Sequence, residues 1–475
     1  MGTRLRSLRV ALVAALGGFL LGFDATVISG AVPFIRQYFG LNGAAGSIGL
    51  GWTVSCLGWG AIAGNLGAGA LNDRIGRRRV LQLTAVLFLA SSLLAAAAHS
   101  YPWFIAARVL GGLGVGGAIL TVPMYIAEIA PAARRGSLVA INQLMIVIGI
   151  SVSFFSNDLL LSIGVNSWRW MLGVEAVPAT VFLTLLMGVP ESPRWLLGLA
   201  RTGQALQVMR RLHGDQAEFE LAHLPPPADR TRRWRGLFAR RMRYVLVFCG
   251  GLAFFQQITG INAIFYYLPM IFAQSGGDLK GAFRQSVIVG AVNVLMTLAA
   301  MRWIDRRGRK PLLLAGTAGM AVALLTISWA FHGGPPMRHS AVVLAALVTY
   351  VASFALSLGP VMWVMIAELF PNTQRAYAIS AVGFWNSLIS ATVTLVFPWE
   401  ITQWGAAGTF LGYGIMAIAA FVFVAVLCPE TRGKTLEEIE ALYLDKSIWS
   451  AAWGRPEVRM AKSGNRATDN PRALA

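Results

Sequence analysis

Long apolar runs alternate along the chain with short connections that are rich in basic and small polar residues. Each run is close to the roughly 20 residues that an α-helix needs to cross the hydrocarbon core of a bilayer. The runs lie at residues 9–31, 47–70, 79–98, 102–127, 137–161, 169–189, 244–273, 284–303, 311–331, 340–366, 376–398 and 405–427. This pattern predicts an all-α membrane protein with twelve transmembrane helices.

Three short motifs occur twice and in the same order, which indicates an internal repeat. They are DRIGRR at 73–78 with DRRGRK at 305–310, AEIAPAARRG at 127–136 with AELFPNTQRA at 367–376, and PES at 190–192 with PET at 429–431. Six predicted spans separate the copies, so the two halves have the same orientation. We expect them to be related by an axis along the membrane normal.

The repeat predicts how the chain is divided into parts. We expect a six-helix first half over residues 1–189 and a six-helix second half over 244–428. Residues 190–243 would form a cytoplasmic linker with short helices, one of them over 201–213. Residues 429–475 would form a cytoplasmic helix, which begins at the capping box of Thr435, and a disordered tail.

The chain has 40 Lys and Arg residues against 21 Asp and Glu residues, which gives a formal charge of +19. Most of the basic residues fall in alternate connections that include both termini. The connections on the other side carry only a few, namely Arg36, Arg169, Lys280, Arg284 and Arg338. By the positive-inside rule we expect both termini to be cytoplasmic in a multi-pass protein of the cell membrane. The charge then reflects topology and contact with the lipid bilayer, and no nucleic-acid partner is expected.

The cysteine and histidine residues show no spacing typical of a disulfide framework or a zinc site. Cys56, Cys249 and Cys428 lie in or at the edge of predicted spans, and the five histidines fall in or near connections. No nucleophile arrangement or phosphate-binding loop is evident either. We expect no cofactor and no metal, and an enzyme is the least favoured class.

Three amide side chains, Gln256, Gln257 and Asn262, lie inside the seventh apolar run. Each amide has donors and an acceptor that need polar partners in hydrocarbon. A neutral solute rich in hydroxyl groups would supply them. Gly260 between them would let the helix loosen. Hydrogen bonds between helices are the alternative explanation for the amides.

Charged residues inside the bilayer give a second candidate site. Asp24 lies in the first predicted span, where an ionised carboxylate without a partner costs about 2.5 to 3.5 kcal/mol on insertion scales. Arg108 lies in the fourth span. The pair predicts either proton binding at Asp24, modulated by Arg108, or a purely structural ion pair.

The repeated loops place acidic and basic residues at matched offsets, and we predict that these residues form a cytoplasmic gate. They are Asp73, Arg74, Arg77, Glu128, Arg135 and Glu191 in the first half, and Asp305, Arg306, Arg309, Glu368, Arg375 and Glu430 in the second. We expect pairs across helix ends that form when the cytoplasmic side closes and separate when it opens. Solvated surface charge is the alternative, but it does not explain why acidic residues recur.

Taken together, the motifs resemble those of the sugar porter family of the major facilitator superfamily over about residues 9–443. The motifs are GALNDRIGRRR at 69–79, RVLGGLGVGG at 108–117, PMYIAEIAPAARRG at 123–136, PESPRW at 190–195, QQITGINAIFYY at 256–267, WIDRRGRK at 303–310, GPVMWVMIAELFP at 359–371 and PETRGKTLEEIE at 429–440. The resemblance implies the major facilitator fold, with a sugar site at the midplane between the halves.

The resemblance also implies which residues contact the sugar. They are Gln143, Gln256, Gln257, Asn262, Tyr267, Asn293, Trp363 and Asn386. Two positions depart from the family pattern, because Ser387 stands where many members have Trp and Ser390 where Asn is common. Proton-coupled bacterial members carry Asp at the position of Asp24, and animal facilitative glucose transporters carry Asn.

We therefore expect a monomeric proton-coupled symporter that imports a monosaccharide or related polyol by alternating access. Two other functions stay open. A facilitative uniporter of the same fold would use Asp24 only structurally, and a sugar sensor would bind without transport. The sensor is less favoured because the predicted C-terminal tail is short.

Overall fold

The computed structural model describes residues 2–131, 134–214, 217–218, 242–332, 340–371, 374–433 and 438. These residues form α-helices, one short 3-10 helix and turns, with no β-strand among them. Side chains are not described at 2–4, 44, 305, 375 and 376. The predicted gate side chains of Asp305 and Arg375 therefore lie outside the described part. So do the helix predicted from Thr435 and the tail that follows it.

The helices of the first part of the chain are α1 (Gly2–Tyr38), α2 (Gly43–Ile75), α3 (Arg77–Ala96), α4 (Tyr101–Ile129), α5 (Arg135–Leu160), α6 (Ser167–Gly173), α7 (Ala176–Met187), α8 (Pro193–Gly198) and α9 (Thr202–His213). Those of the second part are α10 (Arg243–Ile258), α11 (Ile261–Gln274), α12 (Leu279–Arg307), α13 (Arg309–Phe331), α14 (Ser340–Leu356), α15 (Leu358–Leu369) and α16 (Arg375–Leu427).

The predicted spans are confirmed as helices, although several are built from more than one piece. The sixth span is α6 with α7, the seventh is α10 with α11, and the tenth is α14 with α15. By length and apolar composition, eleven described segments can cross a membrane. The longest, Tyr377–Leu427, has 51 residues and would measure about 75 Å if it were straight. It turns at Gly405 (φ 68°, ψ 169°) and so accommodates the eleventh and twelfth spans.

Proline explains two of the interruptions. Its ring blocks the hydrogen bond to the carbonyl four residues earlier. Pro360 would face the carbonyl of Leu356, and the chain leaves the helix at Ser357 (φ −128°, ψ −97°) between α14 and α15. Pro178 lies in the first turn of α7, just after the break between α6 and α7. Both prolines therefore sit in a first turn, where a missing N–H is tolerated.

The two halves meet mainly where α2 packs on α16 and α5 packs on α12. Small residues allow these approaches. A Cβ atom at Gly58 would lie 3.2 Å from Ala391 Cβ, and one at Gly290 would lie 3.1 Å from Ser151 Cα. At the end of the bundle opposite the start of α1, α1 also packs against α11.

Large apolar side chains remain exposed along the outer faces of the spanning helices. Examples are Leu66 (68% exposed), Val177 (64%), Leu295 (61%), Val322 (65%) and Trp329 (65%). Apolar exposure on this scale marks a surface that contacts something other than water.

Candidate functional site

The predicted amides of the seventh span meet where α10 ends and α11 begins. Gln256 and Gln257 lie in the last turn of α10, and Gly260 follows in a left-handed conformation (φ 88°, ψ 14°). Only glycine adopts that conformation readily. The expected loosening of the helix at Gly260 is thus confirmed.

Four of the predicted sugar contacts form one hydrogen-bonded network. Gln257 Nε2 donates to Asn386 Oδ1 at 3.1 Å and to Gln256 Oε1 at 3.3 Å. Asn386 Nδ2 donates to Gln256 Oε1 at 2.8 Å, and Asn262 Nδ2 donates to Gln257 Oε1 at 2.9 Å. The structure therefore brings together side chains from the seventh and eleventh spans.

The network is tied to the backbone and to one hydroxyl group. Gln256 Nε2 donates to Leu358 O at 2.8 Å, at the start of α15. Asn262 Nδ2 donates to Ser390 Oγ at 2.7 Å, so one of the two departures from the family pattern is a direct partner. Asn262 is only half buried, and its Oδ1 accepts no hydrogen bond from a residue that the structure describes.

Trp363 lies close to this network without a hydrogen bond to it. Its neighbour Met362 places Sδ 3.9 Å from Asn386 Nδ2. The Trp363 ring also lies beside Gly383, one turn before Asn386, where a Cβ atom would be 3.7 Å from Cη2. The half-buried indole therefore adds an apolar surface next to the amides.

Gln143, Asn293 and Tyr267 are not joined to the amide network. The first is half buried and the second buried, and neither side chain forms a hydrogen bond with the described residues. Tyr267 is fully buried and donates from its hydroxyl to Leu50 O of α2 at 3.2 Å. In this conformation Tyr267 links the two halves and has no exposed surface toward a ligand.

The predicted pair of charges inside the membrane is present. Asp24 in α1 forms an ion pair with Arg108 in α4, and Arg108 Nη2 also donates to Asp24 O at 3.1 Å. Both side chains are about 1% exposed. Asp24 Oδ2 and Arg108 Nε have no hydrogen-bond partner among the described residues. The ion pair is therefore buried and incompletely satisfied.

Glu175 was not predicted, yet its carboxyl group belongs with this pair. It lies at the break between α6 and α7, is 1% exposed, and interacts electrostatically with Asp24 and Arg108. Its Oε1 has no partner within the described part of the chain. An acidic residue inside the sixth apolar run was the signal in the sequence that could have identified it.

The gate residues of the first half form a compact cluster at the end of α2 and the start of α3. Glu191 Oε1 accepts from the backbone N–H groups of Arg77 at 3.0 Å and Arg78 at 3.1 Å. Arg77 pairs with Glu128, with Nε 3.0 Å from Oε2, and lies 3.9 Å from Asp73. Glu191 thus stabilises the positive N-terminal end of α3.

The second half repeats this cluster almost atom for atom. Glu430 accepts from the backbone N–H groups of Arg309 at 3.2 Å and Lys310 at 3.1 Å. Arg309 Nη2 donates to Glu368 Oε1 at 2.7 Å, and Thr431 donates to Glu368 Oε2 at 2.6 Å. The equivalent of Thr431 is Ser192, which donates to Glu128. The ion pairs described in these loops join residues of the same half.

The remaining gate residues lie around these clusters. Arg74 and Arg306 are exposed near the ends of α2 and α12. Arg135 Nε is buried without a partner in the described residues. Burial, and next the charge of Arg135, lowers the pKa of the neighbouring Arg194 in α8. Arg77, Arg135 and Arg194 of the first half therefore lie near one another at the end of the bundle that holds the gate clusters.

Known proteins with similar sequences are described as sugar transporters. A family model described as "Sugar (and other) transporter" matches residues 10–443. The arabinose-proton symporter of Bacillus subtilis (strain 168) is 36% identical over 447 residues, which cover 92% of this chain and 94% of the relative. The D-xylose-proton symporter of Escherichia coli (strain K12) is 36% identical over 474 residues, which cover 91% of this chain and 95% of the relative.

Solved structures with a similar fold include those of a xylose transporter. The partially occluded inward-open structure of the xylose transporter XylE from E. coli has a TM-score of 0.79 and 34% identity, and the match covers 90% of this chain and 99% of that one. The structure of the proton:xylose symporter XylE bound to 6-bromo-6-deoxy-D-glucose has a TM-score of 0.74 and 34% identity, with 92% and 99% covered. The fold is thus that of the major facilitator superfamily, and the chain belongs to the family of sugar (and other) transporters.

Proposed function

We propose that this protein is a proton-coupled symporter that imports a monosaccharide or related polyol by alternating access. The observation that carries the proposal is that two different polar sites lie in the interior of one helix bundle. A neutral amide network lies in the second half, and a buried, incompletely satisfied ion pair lies in the first. The first site suits an uncharged hydroxylated solute, and the second suits a proton.

The amide network supports reversible sugar binding. In this structure the amides of Gln256, Gln257, Asn262 and Asn386 bond to one another. Sugar hydroxyl groups can replace these bonds, because each hydroxyl is both donor and acceptor. One set of hydrogen bonds is then exchanged for another, and the net gain per bond is only about 1 kcal/mol. Binding that weak permits release.

We also assign sugar contacts to the four remaining predicted side chains. Trp363 would place its indole face against the sugar ring, and Gln143 and Asn293 would donate and accept from facing helices once the halves close on the ligand. Tyr267 would reach the ligand only after its bond to Leu50 breaks. Each of these assignments requires a rearrangement between states.

The buried charges support proton coupling. A carboxylate in the membrane interior that loses its cationic partner binds a proton more readily. Movement of α1 relative to α4 would change the distance between Asp24 and Arg108, and so switch proton affinity between states. One proton crossing 100 mV supplies about 2.3 kcal/mol, which supports a concentration ratio near 50.

The relation of the two halves supports alternating access. The contact between α1 and α11 closes the end opposite the termini, whereas the described charge clusters of the other end each stay within their own half. We propose an inward-facing arrangement, in which the gate clusters of the two halves approach each other when the cytoplasmic side closes. We also propose cytoplasmic termini, a functional monomer, and halves that move as units over 1–189 and 244–428.

The substitution Asp24→Asn tests the proposal in proteoliposomes. Proton-driven accumulation of labelled D-xylose, arabinose or D-glucose should be abolished, whereas exchange of labelled for unlabelled sugar should persist. Asp158→Asn, which removes a carboxylate from α5 at a distance from the pair, is the control and should retain accumulation. Uphill transport by Asp24→Asn would contradict a proton role for this residue.

Facilitated uniport is the second candidate, and the ion pair itself favours it. Arg108 already neutralises Asp24, so the pair could serve stability alone. A uniporter would carry sugar down its gradient without alkalinising the external medium, and Asp24→Asn would then reduce folding yield but not alter the pH trace.

A further inference from the structure

A cavity of about 370 Å³ at one edge of the bundle is surrounded by arginines. It lies where the start of α1, the end of α7 and the linker helix α9 meet. Arg6, Arg9, Arg78 and Arg211 line it together with Val10 and Met187. This cavity is separate from the amide network and adjoins the gate cluster of the first half, because Glu191 accepts from the backbone N–H of Arg78.

Three of the four arginines around the cavity have no ion-pair partner among the described residues. Arg6, Arg9 and Arg211 are exposed and form no hydrogen bond or ion pair with the residues described here. The adjacent Arg210, by contrast, pairs with Glu218 at 2.5 Å. Several like charges facing one cavity repel each other, and an anion placed between them would relieve that repulsion.

Arg78 is fixed in a position from which it can contribute to such a site. Its Nε donates to Leu186 O at 3.1 Å and its Nη2 to Met187 O at 2.6 Å, so the last turn of α7 holds the guanidinium. Its remaining donors are available to an acceptor in the cavity. A planar guanidinium with fixed donors suits the oxygens of a phosphate group.

An apolar strip leads away from the cavity along the outer face of α7. Val177 (64% exposed), Val181 (47%) and Leu185 (44%) are spaced four residues apart and lie on one face, and Met187 (63%) is exposed where the strip reaches the cavity. The basic cavity is thus continuous with a surface suited to acyl chains. A free phosphate ion would make no use of this strip.

We propose that this cavity binds the phosphodiester headgroup of an anionic phospholipid, whose acyl chains lie along α7. Arg6, Arg9 and Arg211 bind the phosphate, together with Arg78. The headgroup would join the start of α1, which carries Asp24 farther along, to the linker helix α9. The cavity therefore retains a particular class of lipid at the basic side of the bundle.

Native mass spectrometry of the full-length protein with phosphatidylglycerol or phosphatidylcholine tests the proposal. The wild type should retain phosphatidylglycerol in preference to phosphatidylcholine. The triple variant Arg6→Gln, Arg9→Gln, Arg211→Gln should retain it more weakly, on the order of a hundredfold. The matched control Arg79→Gln, Arg201→Gln, Arg302→Gln removes three exposed arginines outside the cavity and should bind as the wild type does.

Two further measurements keep the outcome clear. The triple variant Arg6→Lys, Arg9→Lys, Arg211→Lys should retain most of the binding, because the charges remain. Its folding would also show that the chain tolerates substitution at these positions. Equal loss in the Gln triple and its control would reduce the effect to general surface charge and overturn the proposal. Retention of inorganic phosphate alone as firmly as of phosphatidylglycerol would identify a phosphate ion as the ligand and would overturn the proposal as well.

Discussion

At the scale of single residues, the candidate sugar site is a set of amides that serve as one another's partners. The four amides bond to one another, to backbone carbonyls and to Ser390. Asn262 Oδ1 is the one amide oxygen among them that accepts no hydrogen bond from the described residues. A ligand must therefore compete with bonds that already exist. Sugar affinity depends on the difference in free energy between the hydrogen bonds that the amides form with the sugar and those that they form with one another.

Because of this competition, we expect substitutions of Ser390 and of its partner Asn262 to change sugar affinity in opposite directions. Ser390→Ala removes a hydrogen bond to Asn262 that a sugar would have to displace, and should increase sugar affinity by about fivefold. Asn262→Ala removes a proposed sugar contact and should weaken the binding free energy by about 1 to 3 kcal/mol. Equilibrium binding of labelled sugar measures both.

Thr392→Ala is the control for the serine substitution, because its hydroxyl group bonds only within α16, to Leu388 O at 2.8 Å. The sugar affinity of Thr392→Ala should equal that of the wild type. A loss of affinity in Ser390→Ala as large as that in Asn262→Ala would show that Ser390 itself contacts the sugar.

The sequence revealed the types of these residues but not their partners. An amide in an apolar run is visible as such, and so is an isolated acid such as Asp24. Which atoms meet depends on helix geometry across long distances in sequence, as with Gln257 and Asn386. Glu175 is equally visible as an acid inside the sixth apolar run, but its proximity to Asp24 and Arg108 depends on the packing of helices far apart in sequence.

At the scale of elements, the break between α10 and α11 creates the site. Gln257 and Asn262 are five residues apart, and in a continuous helix they would point about 140° away from each other. The left-handed Gly260 turns the chain so that their side chains bond at 2.9 Å. The polar network therefore depends on an interruption that the apolar pattern alone does not reveal.

Gly260→Ala should reduce both stability and sugar binding. A left-handed alanine costs about 1 to 2 kcal/mol, and its Cβ would lie about 2.5 Å from Tyr413 Cδ2. Gly250→Ala in α10 is the matched control, because nothing lies within 4 Å of a Cβ there, and a helical alanine adds about 0.5 to 1 kcal/mol. Thermal unfolding should show a lower midpoint for the first variant and an unchanged or higher one for the second. Equal midpoints would contradict a structural requirement for the turn.

At the scale of the whole molecule, the repeated motifs produce matched local structures. Gly76 (φ 93°, ψ 162°) and Gly308 (φ 90°, ψ 167°) adopt nearly the same conformation. Glu191 and Glu430 each accept from the two backbone N–H groups that follow the glycine of their own half. The sequence predicted this correspondence because local motifs specify local geometry. The distance between the halves has no such local determinant, since it changes between transport states.

The hydrogen bond from Tyr267 to Leu50 is a measurable link between the halves at the end opposite the start of α1. Tyr267→Phe removes it from the closed state, and a net loss of about 1 kcal/mol should shift the population about fivefold toward opening at that end. Spin labels at Asn42→Cys and Lys280→Cys report the distance between the halves there, because both positions are exposed. The native Cys56, Cys249 and Cys428 are buried and should react little.

Tyr350→Phe is the control for this experiment. Its hydroxyl donates to Thr259 O at 2.9 Å, a bond of similar length that lies wholly within the second half. Its loss should lower stability without changing the distance between the labels, because both states lose the bond equally. A longer distance in Tyr267→Phe alone would identify this contact as part of the closing surface. The same shift in both variants would instead reflect general loosening of the second half.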